Sequence, residues 1–170
     1  MQNFLINLRK ETFPISLILI LVFARLIPHP PNFTPIIAAA ILSSYFFKNI
    51  YLSLMILLIS MLLSDIFIGF HTNMFFVYAP LFLITFLFFN VRMKINSKSL
   101  FIFAFLGSLI FYLVSNFGVW LMSGMYEKNI SGLMSCYVLA IPFFTNTILS
   151  TIIFSYPVLF VYKFINKQFA

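Results

Sequence analysis

The chain has 170 residues, of which 63% are hydrophobic and 8% charged, and 25 are Phe. A water-soluble domain of this size cannot bury that much apolar surface, so lipid must be the solvent for most of it. The formal charge of +7 comes from ten Lys and Arg against three acids; the basic residues fall between apolar stretches, which points to anionic lipid and membrane orientation and argues against nucleic acid as a partner.

Apolar stretches recur at residues 13–27, 33–47, 50–68, 74–89, 100–122 and 138–163. They predict an all-α fold, a polytopic six-transmembrane-helix bundle forming a single domain over residues 1–170. A span needs about 20 residues to cross a hydrocarbon core of about 30 Å. The third, fifth and sixth stretches meet that length. The first follows Arg9 and Lys10, as in a signal peptide, but it runs into Arg25-Leu26-Ile27-Pro28 with no small-residue cleavage site. It is expected to be retained as the first span.

The second stretch is short. Thr34 is predicted as its N-cap and Pro35 as its first helical residue, leaving about 13 helical residues, or about 20 Å. The turn before it, residues 28–35, holds four prolines together with His29 and Asn32. Such a turn is stiff, and it ends at a helix N-terminus whose free N–H groups favour an anion or a carbonyl oxygen. Pro80 and Pro157 are expected to kink the fourth and sixth spans. The connection at 123–137 carries Gly124, Gly132 and the neighbouring Glu127 and Lys128, and is expected to act as a lid with the glycines as hinges.

Orientation follows from charge. Arg9, Lys10, Lys48, Arg92, Lys94, Lys98, Lys163 and Lys167 fall on one side, and only Arg25 and Lys128 lie on or near the other. The positive-inside rule then puts both termini in the cytoplasm, with an even number of spans. A bacterial inner (cytoplasmic) membrane is the expected location.

The polar residues within the spans gather at the outer end. Arg25 and Asp65 stand at similar depth near the ends of the first and third spans, so they are expected to pair or to line one pocket. Charges inside spans mark functional sites by default, although a buried pair that only fixes helix packing answers the same pattern. Asn116, Trp120, Tyr137 and Asn146 share that layer. With Arg25, His29, Asn32 and Asp65 they form the expected substrate-binding set, an aromatic-walled cup with a few convergent polar groups. Trp120 also fits a plain interfacial anchor. His29, His71 and Cys136 match no metal-ligand spacing, so no metal and no cofactor are expected. The single Cys136 rules out an intrachain disulfide. No Gly-x-Ser-x-Gly, His-Glu-x-x-His or phosphate-binding glycine loop occurs, so an enzyme is not expected.

Four motifs in order carry a resemblance: RLIPHPPNFTP from Arg25 to Pro35, LSDIFIGF from Leu63 to Phe70, SNFGVW from Ser115 to Trp120, and Cys136-Tyr137 leading to PFFTN from Pro142 to Asn146. They resemble a family of small bacterial membrane proteins classed with transport. That family looks like the substrate-binding S components of energy-coupling-factor (ECF) vitamin transporters. The resemblance implies six helices, an outward pocket for an unknown micronutrient, and docking on a transmembrane scaffold coupled to ATPases. S components dock through an alanine-x-x-x-alanine pattern on the first helix. Here the first span has only Ala24, and small residues appear instead on the second, as Ala39/Ser43 and Ala40/Ser44. The nickel and cobalt members begin Met-His, unlike Met1-Gln2 here. The expected function is membrane transport as an S component or a solitary relative. The alternative is a scaffold protein of cell-envelope or shape determination.

Overall fold

The computed structural model describes residues 2–91 and 95–168; Arg92 and Lys94 lie outside them, as do the side chains of Arg9, Lys10 and Lys167. Seven α-helices follow one another among the described residues: α1 (Gln2–Phe23), α2 (Ile36–Phe46), α3 (Ile50–Ile68), α4 (Met74–Val91), α5 (Ser97–Met122), α6 (Ile130–Leu139) and α7 (Ile141–Gln168). A 3-10 turn, Ala24–Leu26, prolongs α1, and no strand occurs among the described residues.

The protein is therefore all-α, but it has one more helix than expected. The addition is α6, in the connection read as a loop. Asn129 starts it by accepting a hydrogen bond from the Gly132 N–H at 2.7 Å, the usual way a short polar side chain caps orphan donors. The last helix accordingly opens at Ile141 rather than 138. The first opens at Gln2 rather than 13. Pro35 itself is the N-cap of α2, with no side-chain cap from Thr34. α4 and α7 continue through Pro80 and Pro157, as α1 does through Pro14.

Four segments are long and apolar enough to cross a membrane: α3, α4, Lys98–Met122 of α5 and Ile141–Ile165 of α7. The distribution of side chains agrees with a lipid solvent. Phe67, Phe75 and Phe160 are 73%, 71% and 70% exposed, whereas the hydroxyls of Ser53, Ser60, Thr85, Ser108 and Thr151 are buried. A soluble fold would sort these the other way. The interior hydroxyls bond carbonyls or one another. Thr85 reaches Ala40 O on α2 at 3.2 Å, Ser53 reaches Ser43 O at 3.1 Å, and Ser108 meets Thr151 at 3.4 Å between α5 and α7.

α2 is the centre of the bundle. Its residues are buried except Tyr45, which is half-buried, and it packs against α1, α3, α4, α5 and α7. A helix apolar on all sides belongs in such a place. Ala39, Ser43, Ala40 and Ser44 are all buried there. The small residues of the second stretch thus serve close approach within the chain, and they are not available as a docking face for a partner.

Contacts define two ends. At one, the turn before α2 touches the start of α7 through Asn146 and Pro31, the end of α3 touches the start of α4 through Asp65 and Tyr78, and Phe76 meets Phe117 near the end of α5. At the other, Phe46 stacks on Tyr162 at 4.2 Å, Phe88 on Phe103 at 4.6 Å, and Lys163 donates to Ile95 O at 2.7 Å. Every candidate site residue lies at the first end.

Candidate functional site

The site is built on one face of α3. Met61, Ser64 and Asp65, at i, i+3 and i+4, project together, and Arg25 comes in from the 3-10 turn that follows α1. Arg25 Nη1 lies 2.9 Å from Asp65 Oδ1. It donates to Ser64 Oγ at 2.8 Å and reaches Met61 Sδ at 3.4 Å. Tyr78, one turn into α4, donates its hydroxyl to Asp65 Oδ2 at 2.5 Å. Asp65 is 1% exposed and Arg25 10%.

The two carboxylate oxygens differ. Oδ2 has an aligned donor in Tyr78. Oδ1 is buried, stands beside the guanidinium, and accepts no aligned hydrogen bond. Its hold on Arg25 is therefore Coulombic, because the Nη1 hydrogens are directed at Ser64 and Met61. Nε and Nη2 of Arg25 make no hydrogen bond among the described residues, so one edge of the fork is left for another acceptor.

The proline-rich turn is tied down around this pair. Phe33 N–H donates to Pro30 O at 3.0 Å, and Asn32 has φ 59°. Pro31 followed by a residue with positive φ is the pattern of a type II turn, and Asn is one of the few residues that tolerates that backbone. Asn146 Nδ2 donates to Pro31 O at 3.0 Å and clamps the turn to α7. The His29 ring lies between Arg25 O, at 3.1 Å from Nε2, and Pro30 O, at 3.0 Å from Nδ1. A neutral imidazole can donate to only one of these carbonyls.

The remaining candidates are spent on backbone. Asn116 bonds Tyr112 O on its own helix at 2.8 Å, not a neighbouring helix. Tyr137 donates to Leu113 O at 2.8 Å, and Trp120 Nε1 donates to Glu127 O at 2.9 Å. Lys128 reaches back to Trp120 O and, at 2.9 Å, to Leu121 O, satisfying carbonyls that the end of α5 leaves open. Lys128 and Glu127 do not pair; Glu127 accepts from Asn129 at 2.7 Å. Gly124 has φ 69° and open space around it, but Gly132 is inside α6, where a Cβ would overlap the Glu127 carbonyl. Gly132 is thus a close-approach residue and no hinge. Cys136 is buried, and burial pushes its thiol up despite Trp120, Tyr126 and Lys128, which act the other way.

A family profile matches residues 7–170, nearly the whole chain. The chain belongs to the family of unknown function DUF6580. No curated protein and no solved structure matches it. The match takes in the proline turn, the Arg25–Asp65 pair and α6 alike.

Sequence reasoning missed Tyr78, Ser64 and Met61. Ser64 and Met61 carried a usable signal, since both share a helix face with Asp65. Tyr78 did not stand out within an apolar run. The arrangement offers a buried carboxylate, a guanidinium with one open edge, and a phenol. These groups can recognise polar atoms of a solute. Among the described residues no three His, Cys, Asp or Glu side chains gather closely enough to hold a metal ion.

Proposed function

We propose that the protein is a membrane transport protein that captures a small polar solute at the end of the bundle bearing Arg25. Its carrying observation is the Arg25–Asp65–Tyr78 cluster. Its charged pair is almost fully buried, its groups come from three elements, and unused donors remain on Arg25. Ionisable groups kept inside apolar bundles are expensive, and by default they mark a functional site.

In this reading six segments cross the membrane: α1 with its 3-10 turn, α2, α3, α4, α5 and α7. α2 alone is roughly 16 Å long at about 1.5 Å per residue, short of the hydrocarbon core, and relies on its neighbours to complete the span. The basic end, with Lys48, Lys98 and Lys163, faces the cytoplasm of a bacterial inner membrane, and so do both termini. The captured solute is an unidentified micronutrient. The S-component resemblance suggests that an ECF-type scaffold and its ATPases energise uptake, with docking through a face other than the small residues of α2.

A second reading, a scaffold of envelope assembly, draws on a different observation. Asn116, Trp120, Tyr137 and Asn146 direct their polar groups to backbone carbonyls. Such a set can hold the bundle together without binding anything. Native mass spectrometry of gently purified protein separates the two. A retained small molecule that is lost from Arg25→Gln and kept by Trp120→Phe supports capture. A bare protein that copurifies with wall-synthesis proteins overturns it.

A further inference from the structure

α6 has two unlike faces. Leu133, Cys136, Tyr137 and Ala140 recur at helical spacing and turn inward; Cys136 is 1% and Ala140 4% exposed, and Tyr137 packs on Tyr112 with ring centres 5.5 Å apart. The other face repeats at i, i+4 and i+8 as Ile130, Met134 and Val138, with Leu139 beside them. These four are 78%, 64%, 60% and 62% exposed. A shallow groove of about 560 Å³ runs along them.

A helix whose solvent face is its apolar face is in the wrong place if that solvent is water. Met122 and Met125, just before α6 in the chain, and Ile141 and Phe143, just after it, are exposed as well. α6 packs on α5 and α7, which are long and apolar enough to cross a membrane, and it is joined to them in the chain at both ends, so lipid is the apolar solvent at hand. Of the two hydroxyl residues that line the groove, Ser131 and Ser135, Ser135 donates to Ser131 O of its own helix at 2.9 Å. It needs no acceptor from outside. The charged residues nearby are drawn off the face: Lys128 is held on the carbonyls at the end of α5, and Glu127 is held by Asn129.

We propose that α6 lies in the bilayer leaflet beside the polar end, its Ile130–Met134–Val138 face against lipid acyl chains, and is not a lid in water. Ten residues cannot cross the membrane, so the helix rests along the interface in the manner of an amphipathic anchor. The proposal needs only the membrane-bundle reading; it stands or falls independently of solute capture.

The test is depth-sensitive quenching. A bimane label is placed on Met134→Cys or Val138→Cys in a Cys136→Ser background, and the protein is reconstituted in phosphatidylcholine vesicles with or without brominated acyl chains. Ile153→Cys, exposed on α7, is the lipid reference, and Glu127→Cys the aqueous one. If Cys136→Ser does not fold, the native background serves, because buried Cys136 labels far more slowly than an exposed cysteine. Quenching of Met134 and Val138 by brominated lipid to the level of Ile153, with little quenching by iodide, is the expected result. Quenching by iodide at the level of Glu127 overturns the proposal in favour of an aqueous lid. Protection from both quenchers overturns it in favour of a protein partner or a second copy on α6.

Discussion

Removing the Arg25–Asp65 pair one member at a time should give unequal losses. Breaking a buried ion pair from one side strands the other charge and costs about 3–5 kcal/mol, whereas replacing both with apolar residues of similar volume is often neutral. The structure decides which single change is worse. Arg25 stands on the last turn before the connection, is 10% exposed, and already has one edge of its fork free. In Asp65→Asn its long stem can swing the guanidinium toward the headgroups, so the cost should be near the lower end, about 3 kcal/mol. Asp65 is 1% exposed on a short stem in the last turns of α3, and its Oδ1 has no aligned donor to fall back on. Arg25→Met leaves that carboxylate with Tyr78 alone, and the cost should be near the upper end, about 5 kcal/mol. The double variant Arg25→Met/Asp65→Leu should lie within about 1.5 kcal/mol of wild type, the tolerance of volume-conserving core swaps. The assay is reversible unfolding in mixed detergent micelles, analysed as a double-mutant cycle. Single variants as stable as wild type, or a double variant as unstable as the two losses added, would refute the buried pair as described.

Other consequences are open to measurement. Tyr78→Phe should destabilise by about 1.5–3 kcal/mol, the range for a hydrogen bond to a charged acceptor, and should add little in an Asp65→Leu background in the same unfolding assay. Asn32→Val should lose about 1–2 kcal/mol because a β-branched residue resists φ 59°, while Asn32→Gly should be near neutral. Gly118→Ala drives a Cβ into the Phe76 ring and should cost about 1–3 kcal/mol, largely recovered by Phe76→Leu. The Cys136 thiol, pushed up by burial, should stay protonated at pH values where an ordinary thiol has begun to ionise. Its alkylation should therefore rise only at higher pH than that of a cysteine placed at Glu127, and equal rates at pH 8 would contradict its burial.

What could be read from the chain varied with how local the cause was. α3 was legible to its ends because Asn49 caps it and Gly69, at φ 100°, closes it. The charged pair was legible from depth alone, since Arg25 and Asp65 stand near the ends of their helices. α6 was not legible, because Ser131, Gly132 and Ser135 interrupt its apolar pattern and read as loop. Its N-cap at Asn129 and its inward spacing at 133, 136, 137 and 140 emerge only once it lies against α5. The duties of Trp120, Tyr137 and Asn146 were hidden for a similar reason. Each donates to a carbonyl 7, 24 or 115 residues away in the chain, and no local pattern records a partner at that distance.

The central position of α2 has a consequence for how the protein is made. Its buried surroundings include α5 and α7, which emerge from the ribosome long after it. Until they arrive, the helix is too short to hold a transmembrane position by itself, and only the earlier helices cover it, among them α4, whose Thr85 hydroxyl bonds its Ala40 carbonyl. The N-terminal half of the chain therefore matures only when the C-terminal half closes around it. Assembly is retrospective, and a ribosome stalled before α7 leaves the most buried helix of the bundle as the segment that quality control meets first.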